Sequence, residues 1–187
     1  MQDSLTGRLL VALPVLDDPN FERTVLLVLD HDEDGALGVV LNRASDVGLA
    51  ETLDEWVGLA ARPPVVFGGG PVEPTAVVAL GRELCDVAVP EGRIADDDDG
   101  LGPVRLVDVT AGPPEGELNQ VRVFAGYAGW APGQLEDEIA QGAWVALPAR
   151  ADDVFTPDPE ILWEQVLGRQ PGRLRMLATM PPDPSTN

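Results

Sequence analysis

The chain has 187 residues, 44% hydrophobic and 24% charged, and its 12 basic and 32 acidic side chains give a formal net charge of -20. That length suits one domain with a core of its own, so neither disulfides nor metals are needed to hold it. Such an acidic surface repels phosphate backbones and anionic membranes, which disfavours direct nucleic-acid or membrane binding.

All the basic residues are arginines, with no lysine. Salt adaptation and a GC-rich genome both produce this composition. Cys85 is the single cysteine. It can form no internal disulfide, which fits a reducing compartment, and as a small buried residue it needs no reactive role. The apolar run at 9–16 contains Pro14. It is too short for a membrane span and a poor signal segment, so a cytoplasmic location is expected.

In chain order, residues 8–13 (Arg-Leu-Leu-Val-Ala-Leu) read as a buried strand ended by Pro14. Apolar runs at 24–29 and 36–41 flank Asp30-His-Asp-Glu-Asp-Gly35. That pattern predicts a hairpin with Gly35 at positive φ. Apolar residues at 49, 53, 56 and 57 predict a helix. Short strands are expected at 65–67, 75–80, 84–89, 104–109, 120–125 and 143–147. The acidic run 96–100 should be a solvated loop.

Residues 126–139 are the densest stretch, reading as a strand end, a glycine-hinged aromatic turn and an acidic helix. Pro132 suits the first helical turn, Leu135 and Ile139 form one stripe, and Gly142 ends the helix. A last helix starts at Pro159, capped by Asp158 and closed at Gly168. The segment 170–187 should be a partly frayed tail of the same single domain, 1–187. Strands outnumber helices without alternating with them, so the expected class is α+β with a mixed sheet.

The candidate chemistry is thin. Asp30-x-Asp-x-Asp-Gly35 matches half of an EF-hand loop, but position twelve is Leu41 where calcium needs a bidentate glutamate. His31 is the only histidine. It lies in what reads as an exposed turn, and no serine sits in a nucleophile elbow. Counts of histidine and cysteine rule out the usual zinc sets. Gly68-Gly-Gly-Pro71 lacks the lysine of a P-loop and does not continue as a Rossmann fingerprint. No cofactor and no metal is implied. The 126–139 stretch is explained by packing, two aromatics wedged between sheet and helix.

Gly126-Tyr-Ala-Gly-Trp-x-Pro-Gly-Gln-Leu-Glu-x-Glu-Ile139 nevertheless resembles the signature of the YqgE/AlgH family of bacterial proteins. Gly7-x-Leu-Leu-x-Ala-x-Pro14, Phe21-x-Arg-Thr-Val25, His31-Asp-x-x-Gly-Ala-x-Gly-x-Val-x-Asn-Arg43 and Gly69-Gly-Pro-Val72 follow the family order. The resemblance runs from about Gly7 to Gly168. It implies a compact single α+β domain with coiled mixed β-sheets and a few flanking helices, and no established activity. Part of the family carries a label as a transcriptional regulator of exopolysaccharide synthesis, without a DNA-binding motif. Ala79-Leu-Gly-Arg82 stands where family members often have a histidine.

Three functional expectations follow. The first is a non-enzymatic binding or regulatory protein. In it Asn42, Arg43, Gly69, Gly70, Tyr127, Trp130 and Gln134 line one cleft for a small polar ligand or a protein partner. The second is a transcriptional regulator acting directly on DNA. The third is a small-molecule hydrolase using His31 with Glu136 or Asp137.

Overall fold

The computed structural model describes residues 4–16, 18–84, 94 and 104–180. Nine strands run through the described residues: β1 Arg8–Ala12, β2 Val25–Asp32, β3 Gly35–Val40, β4 Ala44–Gly48, β5 Val65–Gly68, β6 Val72–Glu83, β7 Val104–Leu106, β8 Leu118–Trp130 and β9 Trp144–Pro148. Four short helices accompany them: α1 Gln134–Ala140, α2 Ala151–Val154, α3 Leu162–Gly168 and α4 Arg173–Leu177. Strand order is β4-β5-β8-β3-β2-β1-β9, with β6 on β8 and β7 on β6. The β5–β8 pair is parallel. The other ladders are antiparallel. The domain is therefore α+β with a mixed sheet, as expected.

The unbroken apolar runs of β1 to β3 have a physical cause. Leu9, Val11, Leu27, Leu29, Val39 and Leu41 face a core shared with Trp163, Val166 and Leu167 of α3. Leu10, Ala12, Leu26, Val28 and Val40 face a second core with Trp130, Leu135 of α1 and Trp144. Strands covered on both faces lose the polar half of their alternation. A third cluster places Leu49 and Trp56 against Ala79, Val121 and Val123. Helix α3 is tied down by Trp163, whose indole N–H donates to the Ala12 carbonyl at 2.8 Å. The Arg23 guanidinium lies 4.1 Å over the same ring.

The hairpin β2–β3 forms as predicted, with Gly35 at φ +134°. Other expectations need correction. Residues 49–56 form no α-helix but two 3-10 turns, Leu49–Glu51 and Asp54–Leu59. The apolar stripe still works, because Leu49 and Trp56 are buried. Strand β4 (Ala-Ser-Asp-Val-Gly) is too polar to have been read as one. Pro132 precedes α1 rather than opening it, and Gly133 at φ +77° is the N-cap. Gly168 stays helical, with Arg169 as the C-cap. Beyond it α4 occupies part of the expected tail. Cys85, the 84–89 strand past Leu84, the 96–100 loop and residues 181–187 lie outside the described residues.

The largest correction concerns residues 126–130, which are strand and not turn. Strand β8 continues through them to Trp130. Its first part pairs with β6 on one side and β5 on the other; Ala128, Gly129 and Trp130 then pair with β3. Gly126 marks the change, at φ +74°. A side chain there would sit 2.5 Å from the Gly70 carbonyl and 3.0 Å from that of Val72. Only glycine reaches this backbone shape against that wall without strain. A single strand thus joins the two halves of the sheet.

Candidate functional site

The seven residues named from the sequence fall into two groups. Gly69, Gly70 and Tyr127 lie together where β5 and β8 pair beside the end of β3, Asn42 follows that strand end, and the polar groups of Asn42 and Gly69 serve the chain. Asn42 Oδ1 accepts from the Val25 N–H at 2.9 Å, and its Nδ2 donates to the Arg23 carbonyl at 2.9 Å. The Gly69 N–H donates to the Ala125 carbonyl and its carbonyl accepts from Val40, both at 2.8 Å. Tyr127 is half-buried against the first core. Arg43, beside Asn42, is exposed and donates to the Glu22 carbonyl at 2.6 Å.

Trp130 and Gln134 lie at the far end of β8, around Glu138. Oε2 of Glu138 accepts the indole N–H groups of Trp130 at 2.9 Å and Trp144 at 2.8 Å. Its Oε1 accepts from Gln134 at 2.9 Å. The two indoles meet edge to face, 6.1 Å apart. One carboxylate therefore satisfies two buried aromatic donors and fixes α1 on the sheet.

His31 is not the exposed turn residue expected. It lies within β2, 8% exposed. Its Nδ1 accepts the Leu5 N–H at 3.0 Å, and Nε2 lies 2.9 Å from Glu136 Oε1. With Nδ1 accepting, the proton of the neutral ring sits on Nε2 and is donated to Glu136. The carboxyl of Glu136 is held below the usual glutamate range, first by its own backbone N–H and then by His31, against an upward push from burial. The structure does bring His31 and Glu136 together, as the hydrolase expectation requires, with the Nδ1 lone pair taken up by the Leu5 N–H. Among the described residues, no cluster of three or more His, Cys, Asp or Glu is placed to hold a metal.

Sequence reasoning missed the feature with the most unusual chemistry. Arg122, on β8, is 2% exposed. Its guanidinium donates to the carbonyls of Val154 at 3.1 Å, Thr156 at 3.0 Å and Arg62. It also lies 4.2 Å over the Phe67 ring. Its Nε is buried without a hydrogen-bond partner. Among the described residues no carboxylate pairs with it. Burial lowers its pKa to about 10, so it stays charged at neutral pH.

Arg62 and Thr156 each precede a proline, and those prolines wall an open pocket of about 470 Å³ lined by Val57, Ala60, Arg62, Pro63, Pro64 and Pro157. The Arg62–Pro63 bond is cis. A usable signal stood in Val121-Arg-Val-Phe124, where alternation sends Arg122 inward with Phe124 while Val121 and Val123 face the other way.

These features define a single α+β domain organised by one shared strand, whose signature stretch makes internal contacts through Trp130, Gln134, Glu136 and Glu138. The chain belongs to the AlgH-like family, whose model matches residues 9–175. It is 52% identical over 193 residues to the UPF0301 protein SCO2948 of Streptomyces coelicolor, covering 98% of this chain and 96% of that one. It is 49% identical to a UPF0301 protein of Thermobifida fusca over the same shares. Among solved structures, protein DIP2367 from Corynebacterium diphtheriae superposes with a TM-score of 0.87 at 33% identity, covering 96% of this chain and 94% of that one. The AlgH protein from Pseudomonas aeruginosa gives a TM-score of 0.66 at 28% identity, with 97% and 98% covered.

Proposed function

We propose that the chain is a non-enzymatic binding protein of the cytoplasm, and that its ligand sits in the pocket walled by Pro63, Pro64 and Pro157. The observation that carries this reading is Arg122. A buried cation without a carboxylate partner is costly to keep, and here it braces two walls of the same open pocket. The pocket's volume lies within the range of small-ligand sites, about 300–1,000 Å³. The seven-residue cleft read from the sequence competes poorly with it, because most polar atoms there already serve backbone or side-chain partners.

Regulation, on this reading, runs through a ligand-dependent meeting with another protein. The net charge of -20 opposes a direct approach to DNA. The test is a thermal-shift panel of metabolites on the whole chain and on Val57→Trp. Val57 is 38% exposed at the pocket, so a larger ring there fills the space while leaving the core intact. A stabilising ligand whose effect disappears in Val57→Trp supports the proposal. A ligand that stabilises both proteins equally places the site elsewhere.

A further inference from the structure

The lining of the pocket narrows the class of ligand, on the reading just given that the pocket is a binding site. Three of its six lining residues are prolines, which carry no backbone N–H. Phosphate and nucleotide sites are built from converging N–H donors, and this wall offers few. Val57 and Ala60 add apolar surface. The remaining lining residue is Arg62, exposed and in no ion pair among the described residues. Behind the wall lies the Arg122 guanidinium, bonded to the two carbonyls that precede Pro63 and Pro157. Carbonyl dipoles soften that charge but do not neutralise it. In a water-poor interior the remainder extends further than it would in solvent.

We propose that this pocket binds a small apolar monocarboxylate, with its hydrocarbon body on the proline and valine wall and its carboxylate toward Arg62, over the buried charge of Arg122. An arginine fork suits a carboxylate, which accepts two parallel N–H bonds. The apolar wall rejects highly hydrated polyanions, whose shell of water it cannot replace. A ligand with one charge and one hydrophobic face satisfies both demands. The same end group is found on free acids and at the C-terminus of a peptide.

The test uses the full chain, labelled for amide NMR, with phenylacetate as the acid probe and phenylacetamide as its neutral isostere. Resonances of Val57, Ala60, Ala61 and Thr156 report the pocket. Phenylacetate should move them, and the amide should bind weaker by about fivefold, the upper end of the range for an exposed ion pair. Arg62→Gln retains the carbonyl that accepts from Arg122, so the fold is kept. It should remove the preference for the acid, and Val57→Trp should abolish both titrations. A peptide ending in Gly-Gly-Phe separates the two sources: equal affinity with phenylacetate points to a chain terminus, weaker affinity to a free acid. Equal binding of acid and amide, or a preference unchanged in Arg62→Gln, overturns the carboxylate assignment and leaves the binding reading standing. Failure of acid, amide and every neutral compound of the panel to move these resonances sinks both.

Discussion

His31 Nε2 lies 2.9 Å from Glu136 Oε1, joining residues 105 positions apart in the chain. The pair pins the start of α1 to the β2–β3 hairpin, and the ring's other nitrogen holds the Leu5 N–H. Because the Glu136 carboxyl is held below its ordinary value in the folded chain, its contribution to stability is present above the unfolded value, about 4.3. It is lost as pH falls through the folded value. Urea midpoints of the native chain and Glu136→Gln should therefore differ at about pH 7 and converge as the pH falls through the lowered folded value of Glu136. A gap that stays constant with pH would show that the charge of Glu136 contributes nothing.

Glu138 should matter more to stability than any other acid of α1. Glu138→Ala strands the indole N–H groups of Trp130 and Trp144, which are 8% and 2% exposed. The expected loss is about 1–3 kcal/mol for each donor left without an acceptor. Glu138→Gln keeps an oxygen for them and should cost less. Denaturant unfolding measures both, and equal losses in the two variants would refute the clamp.

The close approach at the strand crossing predicts two very different glycine substitutions. A Cβ at Gly69 would lie 2.2 Å from the Gly126 carbonyl oxygen. Since neither backbone can yield, Gly69→Ala should lose about 3 kcal/mol or more. At Gly142 φ is +79° but nothing lies within 4 Å, so Gly142→Ala should cost only the left-handed penalty, about 1–2 kcal/mol. Thermal unfolding of the two variants side by side checks the order.

Arg122→Lys tests whether the guanidinium acts as a fork or merely as a charge. A lysine cannot reproduce the planar fork that reaches the Arg62, Val154 and Thr156 carbonyls, and it loses the flat stack on Phe67. A loss of about 2–3 kcal/mol is expected by calorimetry, from charged hydrogen bonds worth about 1.5–3 kcal/mol each. A neutral outcome would mean that charge alone holds these walls.

Much of the fold was legible because local chemistry and tertiary context agree. The hairpin at 30–35 declared itself through two apolar runs and Gly35, and the family through residues 126–139. The errors arise where a long-range partner decides. Tyr127 to Trp130 read as a turn because glycines surround the aromatics, yet β3 and β6 supply the ladder that extends them. His31 read as solvated because acids flank it, but Leu5 and Glu136 come from distant segments to cover it. Arg122 drew no notice because one charge in an apolar run looks like an outward residue. Its acceptors are carbonyls, which leave no trace in side-chain patterns.

The switch of partners along β8 has a consequence for synthesis. The strands it joins, β3, β5 and β6, all leave the ribosome before residue 84, whereas β8 begins at Leu118 and its β3-pairing end arrives at Trp130. Until then the nascent chain carries three sets of open backbone donors and acceptors around an unfilled slot. Such edges invite pairing with other chains. A chain stalled before residue 118 should be protease-sensitive and prone to aggregate, and one stalled far enough beyond Trp130 for β8 to clear the exit tunnel should be less so, full resistance waiting for β9 and α3. The last strand to enter the centre of the sheet thus sets a window of vulnerability, and offers a chaperone a defined substrate during it.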